Sequence, residues 1–444
     1  MTPTFDWAGD TVPQALLGAL QTGLAECVQG RLVIHGLRVL QMRRSSSRQR
    51  HPHPVRLCVD LDVHEPARAA CGVQRLYGKA YRAGASAAAF AQARLAPWAP
   101  AQFGPSLAHL PALDMLWWAW PNDPGLPQLP LLMDPLHLQA ALPAALQGQR
   151  VLQVQALRHE PEQRATLCAE LQAPDGGVQR VYGKTFCDAR GAAVHQRFAQ
   201  MWPQAALHAQ AALVAEPLAY DSATHTLWQA AAPGQPLMAL RDESELLQAL
   251  QALGAALAHL HGQPAPTPLS HRSVALGVQA VAQRRSKIER VAPDLAHRAA
   301  ALGKALETAV ATLPAPVETL IHGDMHPEQV WAHQGRVVLF DFDEWSLGNP
   351  MEDLAAFITR LRQLPTPAGV AETRVRALLR GHRRAAPALW QPGWLRWQLA
   401  LQSLLQASRA YIFQGPGWRP ALAERLASAE HQAARLNEVL TCQP

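Results

Sequence analysis

Two short stretches decide the fold of this chain: His322-Gly323-Asp324-Met325-His326-Pro327-Glu328-Gln329-Val330 and Phe340-Asp341-Phe342-Asp343. Between them lie two apolar runs separated by a turn at His333-Gln334-Gly335. Apolar runs around a short glycine-containing turn predict a tight β-hairpin, with strands from Val330 and from Arg336 to Phe340. Such a hairpin would bring Gln329 and Asp341 to the same end of a small sheet.

The residue types at this end fit phosphoryl transfer. That reaction needs a carboxylate at the acceptor hydroxyl and oxygen ligands for Mg²⁺ between the phosphates. We expect Asp324 to supply the first, and Gln329 and Asp341 to supply the second. Asp343 is either a further metal ligand or a solvated turn residue, and the sequence leaves both open.

These stretches resemble the aminoglycoside phosphotransferase and choline kinase superfamily, which carries a His-Gly-Asp-x-His-x-x-Asn loop followed by a hydrophobic strand ending in Asp. Gln329 stands where most relatives have Asn, and maltokinase-like sugar kinases are similar in having Gln there. The resemblance implies an ATP- and Mg²⁺-dependent kinase. It also implies that Asp353 braces the catalytic loop, and we expect His322 to be structural.

An internal repeat is the second strong feature. Gly72-Val73-Gln74-Arg75-Leu76-Tyr77-Gly78-Lys79 recurs as Gly177-Val178-Gln179-Arg180-Val181-Tyr182-Gly183-Lys184, and Leu57-Cys58 pairs with Leu167-Cys168. Each copy predicts three strands, a helix and two more strands, the element order of a kinase small lobe. In copy two we expect a helix near 192–211 and strands near 213–219 and 224–229.

Lysine is rare: Lys79, Lys184, Lys287 and Lys304 are the four in the chain, and two of them close the Tyr-Gly-Lys repeat. We expect Lys184 to bind the α- and β-phosphates. The second copy departs from kinases in two ways. It lacks the glycine-rich loop, and no acid between Asp188 and Glu216 can pair with the lysine. Arg164 in the first hairpin is a further candidate phosphate ligand.

The predicted class is α+β: a protein-kinase-like bilobal fold with a duplicated β-rich small lobe and a mainly helical large lobe. The predicted segments are an N-terminal helix or leader (1–23), a degenerate first copy (24–142), an ATP-binding second copy (146–234) and the helical lobe (235–444). The linker near 228–234 should hold adenine through its backbone, with Gln229 and Ala231 as cofactor-binding positions. Trp390, Trp394 and Trp397 are expected to pack in the helical core rather than stack on a sugar.

The composition limits which kinds of molecule the chain is expected to bind. The 444 residues carry a net charge of +6, and 49% are hydrophobic, which is ample for buried cores. The arginine-rich stretch 43–50 is better explained as a turn inside copy one than as a nucleic-acid arm. The chain shows neither a signal pattern nor an apolar run of membrane-spanning length, and its six cysteines have no metal spacing, which predicts a cytoplasmic protein with reduced thiols.

The sequence therefore predicts a kinase that phosphorylates a hydroxyl of a small molecule. A sugar is one candidate acceptor, because positive charge in the C-terminal helical region favours a neutral or anionic molecule over a cationic one. The arginines of that region are Arg360, Arg362, Arg374, Arg376, Arg380, Arg383 and Arg384. The alternative is a nucleotide-binding pseudokinase that acts as a partner-binding module, with the first copy as a surface for a protein partner. A metal-dependent phosphoesterase is a third hypothesis, weakened by the absence of further ligand motifs.

Overall fold

The computed structural model describes residues 12–44, 55–82, 84–265, 269–413 and 417–441. Its first unit is one five-stranded antiparallel sheet with spatial order β1-β2-β3-β5-β4. Helix α1 packs on one face, and its Val12, Leu16 and Leu20 share a core with that sheet. The elements are α1 (Val12–Gly23), α2 (Ala25–Val28), β1 (Val33–Arg44), β2 (Val55–Glu65), β3 (Ala70–Ala80), α3 (Ser86–Ala93), β4 (Leu107–Leu110) and β5 (Met115–Ala119).

The second unit repeats this layout. Its sheet has the order β6-β7-β8-β11-β10, the same as the first sheet when the strands are matched in chain order. Two short helices cover one face and a long helix covers the other. The two short helices, α4 (Leu129–Met133) and α5 (Pro135–Ala141), connect the two units and lie at the end of the segment 24–142 that the sequence assigned to the first copy. The elements of the second unit are β6 (Arg150–Glu160), β7 (Arg164–Gln172), β8 (Val178–Phe186), α6 (Arg190–Leu207), β9 (Leu213–Val214), β10 (Pro217–Asp221) and β11 (Thr226–Ala230).

The repeated Tyr-Gly-Lys tripeptide has a physical reason in both sheets. Gly78 lies directly opposite Trp117, and Gly183 lies opposite Trp228. A Cβ on Gly78 would come within 2.6 Å of the Trp117 ring, and one on Gly183 within 2.9 Å of the Trp228 ring. An indole that covers a strand glycine fills the space that a side chain would occupy. The lysine that follows each glycine is therefore held at the same place in each sheet.

The large lobe is mainly helical. Asp242 caps α7 by accepting hydrogen bonds from the amides of Ser244 and Glu245, and Pro293 separates α8 from α9. The helices are α7 (Glu243–His261), α8 (Val274–Val291), α9 (Ala296–Val310), α10 (Met351–Leu361), α11 (Ala368–Ala385), α12 (Pro392–Phe413) and α13 (Trp418–Thr441). Trp394 and Trp397 are buried in its core, as the sequence predicted.

Two small sheets in this lobe carry the loops of the candidate site. The short strands are β12 (Gln235–Pro236), β13 (Ser270–His271), β14 (Thr319–Ile321), β15 (Val330–His333), β16 (Arg336–Leu339) and β17 (Ser346–Gly348). The predicted hairpin is present as β15 and β16, paired from Val330–Leu339 to His333–Arg336. Gln334 and Gly335 both have positive φ, which suits a two-residue hairpin turn.

Three predicted boundaries were wrong. Helix α6 ends at Leu207, whereas the sequence placed its end near 211. The strand expected at 213–219 is two strands in different sheets, since β9 pairs with β16 of the large lobe and β10 pairs with β11. In the first unit, the sequence placed the last two strands near 107–115 and 116–119, whereas β4 ends at Leu110 and a short 3-10 turn separates it from β5. The arginine-rich turn predicted near 43–50 lies mostly outside the described residues, and Arg44 and Val55 on either side of it pair in antiparallel strands.

The structure confirms the predicted class, an α+β fold with β-rich units followed by a mainly helical lobe. Helix α1 shares a core with the first sheet. None of the helices in the described residues has the length and apolar character needed to span a bilayer.

Candidate active site

A buried aspartate fixes the backbone of the loop that carries Asp324. The two carboxylate oxygens of Asp353 accept hydrogen bonds from the amides of His322, at 2.7 Å, and Gly323, at 2.8 Å. The His261 ring lies 3.0 Å from the same carboxylate. Burial alone would raise the pKa of Asp353, but its hydrogen bond with His261 helps to hold that pKa below its usual value. Asp353 is therefore a charged brace beneath the loop, the role that the resemblance implied.

The loop also needs a glycine and a histidine at fixed places. Gly323 has a φ of +84°, and a Cβ there would run into the backbone carbonyl of Glu344. The Nε2 atom of His322 lies 2.8 Å from the carbonyl oxygen of Phe340, which ties the loop to the residue before Asp341. Asp324 itself is half-buried and faces open space. The predicted base is thus presented to solvent by a rigid backbone.

Two cations and two carboxylates meet across the lobes. The Lys184 Nζ lies 2.6 Å from an oxygen of Asp341 and 2.7 Å from an oxygen of Asp343. Arg164 is ion-paired with Asp343 and lies 3.6 Å from Asp341. Burial would raise the pKa of Asp341, but Lys184 and Arg164 hold it well below its usual value. These contacts bring Lys184 together with Asp341 and Asp343 and give Lys184 the countercharge that α6 lacks.

Gln329 lies at the start of the hairpin, next to Asp341. Its carbonyl oxygen accepts a hydrogen bond from the Phe340 amide at 3.1 Å. Its side chain is 4% exposed, and neither its Oε1 nor its Nε2 finds a hydrogen-bond partner among the described residues. The Oδ1 atom of Asp343 is likewise buried and unpaired there. Buried polar atoms without partners need an explanation, and a bound ion or ligand is one.

Among the described residues, no group of three or more His, Cys, Asp or Glu side chains could hold a metal ion. The side-chain oxygens at this site belong to the amide of Gln329 and the carboxylates of Asp341 and Asp343. These are hard oxygen donors, which Mg²⁺ favours.

An apolar cleft of about 380 Å³ opens beside the ion-paired cluster. Gln229, Ala230 and Ala232 line it on the linker side, and Ala231 between them is exposed. The other lining residues come from the second sheet, α6 and the hairpin: Leu157, Thr166, Tyr182, Gly183, Lys184, Val194, Phe198, Ala215, Leu227, Glu328, Trp331, Phe340, Asp341 and Asp343. The cleft therefore combines apolar walls with a charged end, and Asp324 lies outside its lining.

The turn between β6 and β7 is held from the first unit. Lys79 lies 2.6 Å from the carboxylate of Glu162 in that turn, and the Glu162 amide donates to Asp123 at 2.9 Å. Asp123 also contacts His159 at 2.7 Å. Sequence reasoning missed Glu162 and Asp123. One signal in the sequence could have pointed to Glu162. Each half-buried lysine of the repeat needs a carboxylate partner, and Glu162 is the partner of Lys79.

A second buried network was also missed. The His261 ring contacts Asp353 on one side and the His382 ring, 3.1 Å away, on the other. Burial, followed by the nearby His261, lowers the pKa of His382 to about 3, so this ring is neutral near pH 7. No local motif marks His261 or His382, because each belongs to an otherwise ordinary amphipathic helix.

A β-rich lobe with a half-buried lysine, a hairpin followed by Asp341 and a braced Asp324 loop are the features that the sequence led us to expect of a kinase-type site. Residues 188–388 match the model of the phosphotransferase enzyme family. The match confirms the predicted resemblance and the predicted class of enzyme, a small-molecule kinase. None of the curated proteins is a match to this chain.

Several solved structures are similar to this chain at low sequence identity. Aminoglycoside phosphotransferase APH(4)-Ia, in a complex with ADP and hygromycin B, is 16% identical, with a TM-score of 0.47 over 64% of this chain and 94% of that one. Amicoumacin kinase hAmiN, in complex with AMP-PNP, Ca²⁺ and Ami, is 15% identical, with a TM-score of 0.48 over 67% and 93%. A choline/ethanolamine kinase family protein from Mesorhizobium loti is 17% identical, with a TM-score of 0.46 over 70% and 96%.

Proposed function

We propose that this protein transfers the γ-phosphoryl group of ATP to a hydroxyl of a small molecule in a Mg²⁺-dependent reaction. The observation that carries the proposal is the contact of Lys184 with Asp341 and Asp343 at the charged end of an apolar cleft. A flat, apolar base and a highly charged phosphate chain require that combination. Adenine would lie between the sheet and the hairpin, and the linker backbone near Gln229 and Ala231 would bond its edge.

Gln329, Asp341 and Asp343 would hold the metal ion. The unpaired oxygens of Gln329 and Asp343 support this assignment, because a buried amide without a partner is costly unless a ligand satisfies it. When bound, Mg²⁺ would neutralise charge on the phosphates. Lys184 and Arg164 would bind phosphate oxygens, since both already lie beside the two aspartates.

Asp324 would orient the acceptor hydroxyl and accept its proton. Its loop is held by Asp353 and by the positive φ of Gly323, so the carboxylate has a fixed direction. The ring of His326, two residues on, has its pKa lowered by burial despite the nearby charge of Asp324. A neutral imidazole at this place would leave the carboxylate available as a base.

We also propose that the first unit is a non-catalytic copy of the small lobe, produced by duplication. Its segment, about residues 24–142, repeats the strand order and the Gly–Trp contact of the second, ATP-binding unit at 146–234, which leads into the helical lobe at 235–444. Through Lys79 it holds the β6–β7 turn in the place where kinases cover the phosphates. The same unit offers a surface to a protein partner. We expect the enzyme to act in the cytoplasm without nucleic acid.

The test is ADP release with purified protein over a panel of sugars, amino alcohols and aminoglycosides, with ATP binding measured in parallel by calorimetry. Asp324→Asn should lower turnover by about a hundredfold or more, given the usual size of general-base contributions, while ATP still binds. Wild-type turnover in that variant would refute the assignment of the base. Tight ATP binding by the wild type with no turnover on any acceptor would favour the pseudokinase instead.

A further inference from the structure

Asp324 lies where two cavities meet. One cavity, of about 430 Å³, extends between the catalytic loop and helices α8 and α12, and the amides of Gln398, Gln402 and Gln406 line it. The other, of about 650 Å³, extends towards the β6–β7 turn and helix α13. They share five residues: Asp324, His326, Arg360, Gln406 and Arg409. A molecule that presents a hydroxyl to Asp324 could therefore reach into both.

The second cavity is strongly basic. Six arginines line it, against three carboxylates. The arginines come from separate parts of the fold: Arg43 on β1, Arg158 and Arg164 on β6 and β7, Arg360 on α10, Arg409 on α12 and Arg425 on α13. The carboxylates are Asp324, Glu160 and Glu328. Because the arginines lie on six elements of three different units, a single charged helix face does not explain them.

The three lining carboxylates do not balance the six arginines, although Arg164 is also paired with Asp343 outside this cavity. Glu160 alone faces Arg43 at 3.4 Å, Arg158 at 2.9 Å and Arg164 at 3.1 Å. Arg360 lies 3.9 Å from Glu328, whose side chain is 76% exposed, so that contact is weak.

The arginines of α12 and α13 have few partners. The Arg425 guanidinium donates to the backbone oxygen of Gln406 at 3.1 Å. Within the described part of the chain, the Arg409 guanidinium has neither an ion pair nor a hydrogen bond to protein. Burial lowers the pKa of Arg409, and Arg360 and Arg43 lower it further although Asp324 opposes them, which is the pattern of like charges held together. Arginine stays protonated at neutral pH under such shifts.

We propose that the second cavity binds an anionic group of the acceptor, so that the substrate is a hydroxyl-bearing molecule with a phosphate or carboxylate. Guanidinium groups bind both anions through paired hydrogen bonds, and several converging on one anion give the selectivity. The three glutamine amides of the first cavity suit hydroxyl groups, because each amide both donates and accepts. A phosphorylated sugar or a sugar acid has this combination. The inference rests on the proposed function.

Arg43 gives the first unit a part in this site. It is the only lining residue of the second cavity that the first sheet contributes among the described residues. It reaches the cavity because Lys79 and Asp123 hold the β6–β7 turn against the first unit. The first unit would thus shape acceptor choice as well as brace the turn.

An alternative is that the arginines bind the phosphates of ATP. The positions of the cavities are against this for Arg360, Arg409 and Arg425. The nucleotide cleft and the basic cavity have one described lining residue in common, Glu328. Arg360, Arg409 and Arg425 lie on the large-lobe side, where Asp324 receives the acceptor. Arg164 is different, because it contacts Asp341 and Asp343 directly.

The test is calorimetric binding of acceptor probes in the presence of saturating ADP and Mg²⁺. The probes are glucose 6-phosphate, glucuronate, uncharged glucose and the cationic aminoglycoside kanamycin. Arg409→Gln removes one charge of the cavity, and Arg435→Gln on α13 is the matched control, because Arg435 is exposed and outside both cavities. ADP binding to each variant is measured first as the reference for folding and for the nucleotide site.

We expect glucose 6-phosphate or glucuronate to bind at least about tenfold more tightly than glucose, and Arg409→Gln to remove about that factor while Arg435→Gln keeps it. Which anion binds better separates a phosphate from a carboxylate ligand. Equal binding of glucose, stronger binding of kanamycin, or no binding of either anionic probe while ADP binds would overturn the inference and leave the proposed function standing. So would an ADP affinity that falls as much as the probe affinity in Arg409→Gln. Failure of ADP to bind the wild type would instead refute the proposed function.

Discussion

Replacing Gly254 by alanine should destabilise the large lobe, although alanine is the better helix former. Gly254 lies on α7 where that helix crosses α11 at backbone contact. An added Cβ would overlap the carbonyl oxygen of Leu378 and lie 2.7 Å from the amide nitrogen of His382, where ordinary contact begins at 3.4 Å. Both neighbours are helix backbone, so no side-chain rotation can relieve the clash. The helices must therefore separate by more than about 1 Å, a distance set by the tighter contact with Leu378, because interiors are close-packed.

The expected size follows from two opposing effects. Alanine for glycine inside a helix gains about 1 kcal/mol. Overfilling a close-packed interior costs about 1–3 kcal/mol, and rigid backbone neighbours place this site at the upper end. We therefore expect a net loss of about 2 kcal/mol in the free energy of unfolding. Separation of α7 and α11 would also strain the contacts from His382 through His261 to Asp353, so turnover should fall as well.

The assay is denaturant unfolding followed by circular dichroism, together with ADP release. Gly369→Ala on α11 is the matched control, since a Cβ there would meet nothing within 4 Å. That variant should be as stable as the wild type or slightly more stable. If Gly254→Ala unfolded at the same denaturant concentration as Gly369→Ala, the argument from backbone contact would be refuted.

Three further predictions concern the site and its support. Asp341→Ala should abolish Mg²⁺-dependent nucleotide binding, and Gln329→Asn should keep more of that binding than Gln329→Ala. Calorimetry with and without Mg²⁺ measures this, and an equal loss of nucleotide affinity in the two Gln329 variants would mean that Gln329 is not a metal ligand. Lys184→Ala should weaken ATP binding strongly and Lys79→Ala only slightly, and the reverse order in the same titration would assign the nucleotide to the first sheet. The pKa of His382 is about 3 in the folded chain against about 6.5 when exposed. The unfolded chain thus binds the extra proton, and stability should fall by about 2–3 kcal/mol as pH drops from about 6.5 to about 4.5. Thermal unfolding of His382→Gln should show a weaker pH dependence.

Local patterns predicted the elements whose determinants are local. The β15–β16 hairpin follows from its turn residues, and strand β8 is one of the three strands that the repeat predicted for the second copy. The catalytic loop was predicted for the same reason, because its residues lie within a short stretch of chain.

Elements set by distant contacts were not predicted. Strand β9 is two residues long and exists because β16 pairs with it across the lobes. The clamp between Lys79 and Glu162 joins residues 83 positions apart. Trp117 and Trp228 explain the glycine of each repeat, but the sequence alone does not say which residue lies opposite in the sheet. The arginines that line the basic cavity lie on six separate elements, so their convergence depends on the tertiary fold.

The two lysines of the repeat show what makes one sheet a nucleotide site. Lys79 and Lys184 follow the same dipeptide and occupy the same strand position, so local structure does not distinguish them. Their partners do. Lys184 faces Asp341 and Asp343, beside a buried amide with unpaired polar atoms, whereas Lys79 faces Glu162 from the turn of the next unit. A carboxylate in ion-pair contact with Lys79 takes the place where a phosphate would bind it. We infer that the first sheet cannot hold a second nucleotide while this turn is in place, and that Glu162→Gln would weaken the clamp without creating a site, because no metal-binding hairpin faces that sheet in the described part of the chain.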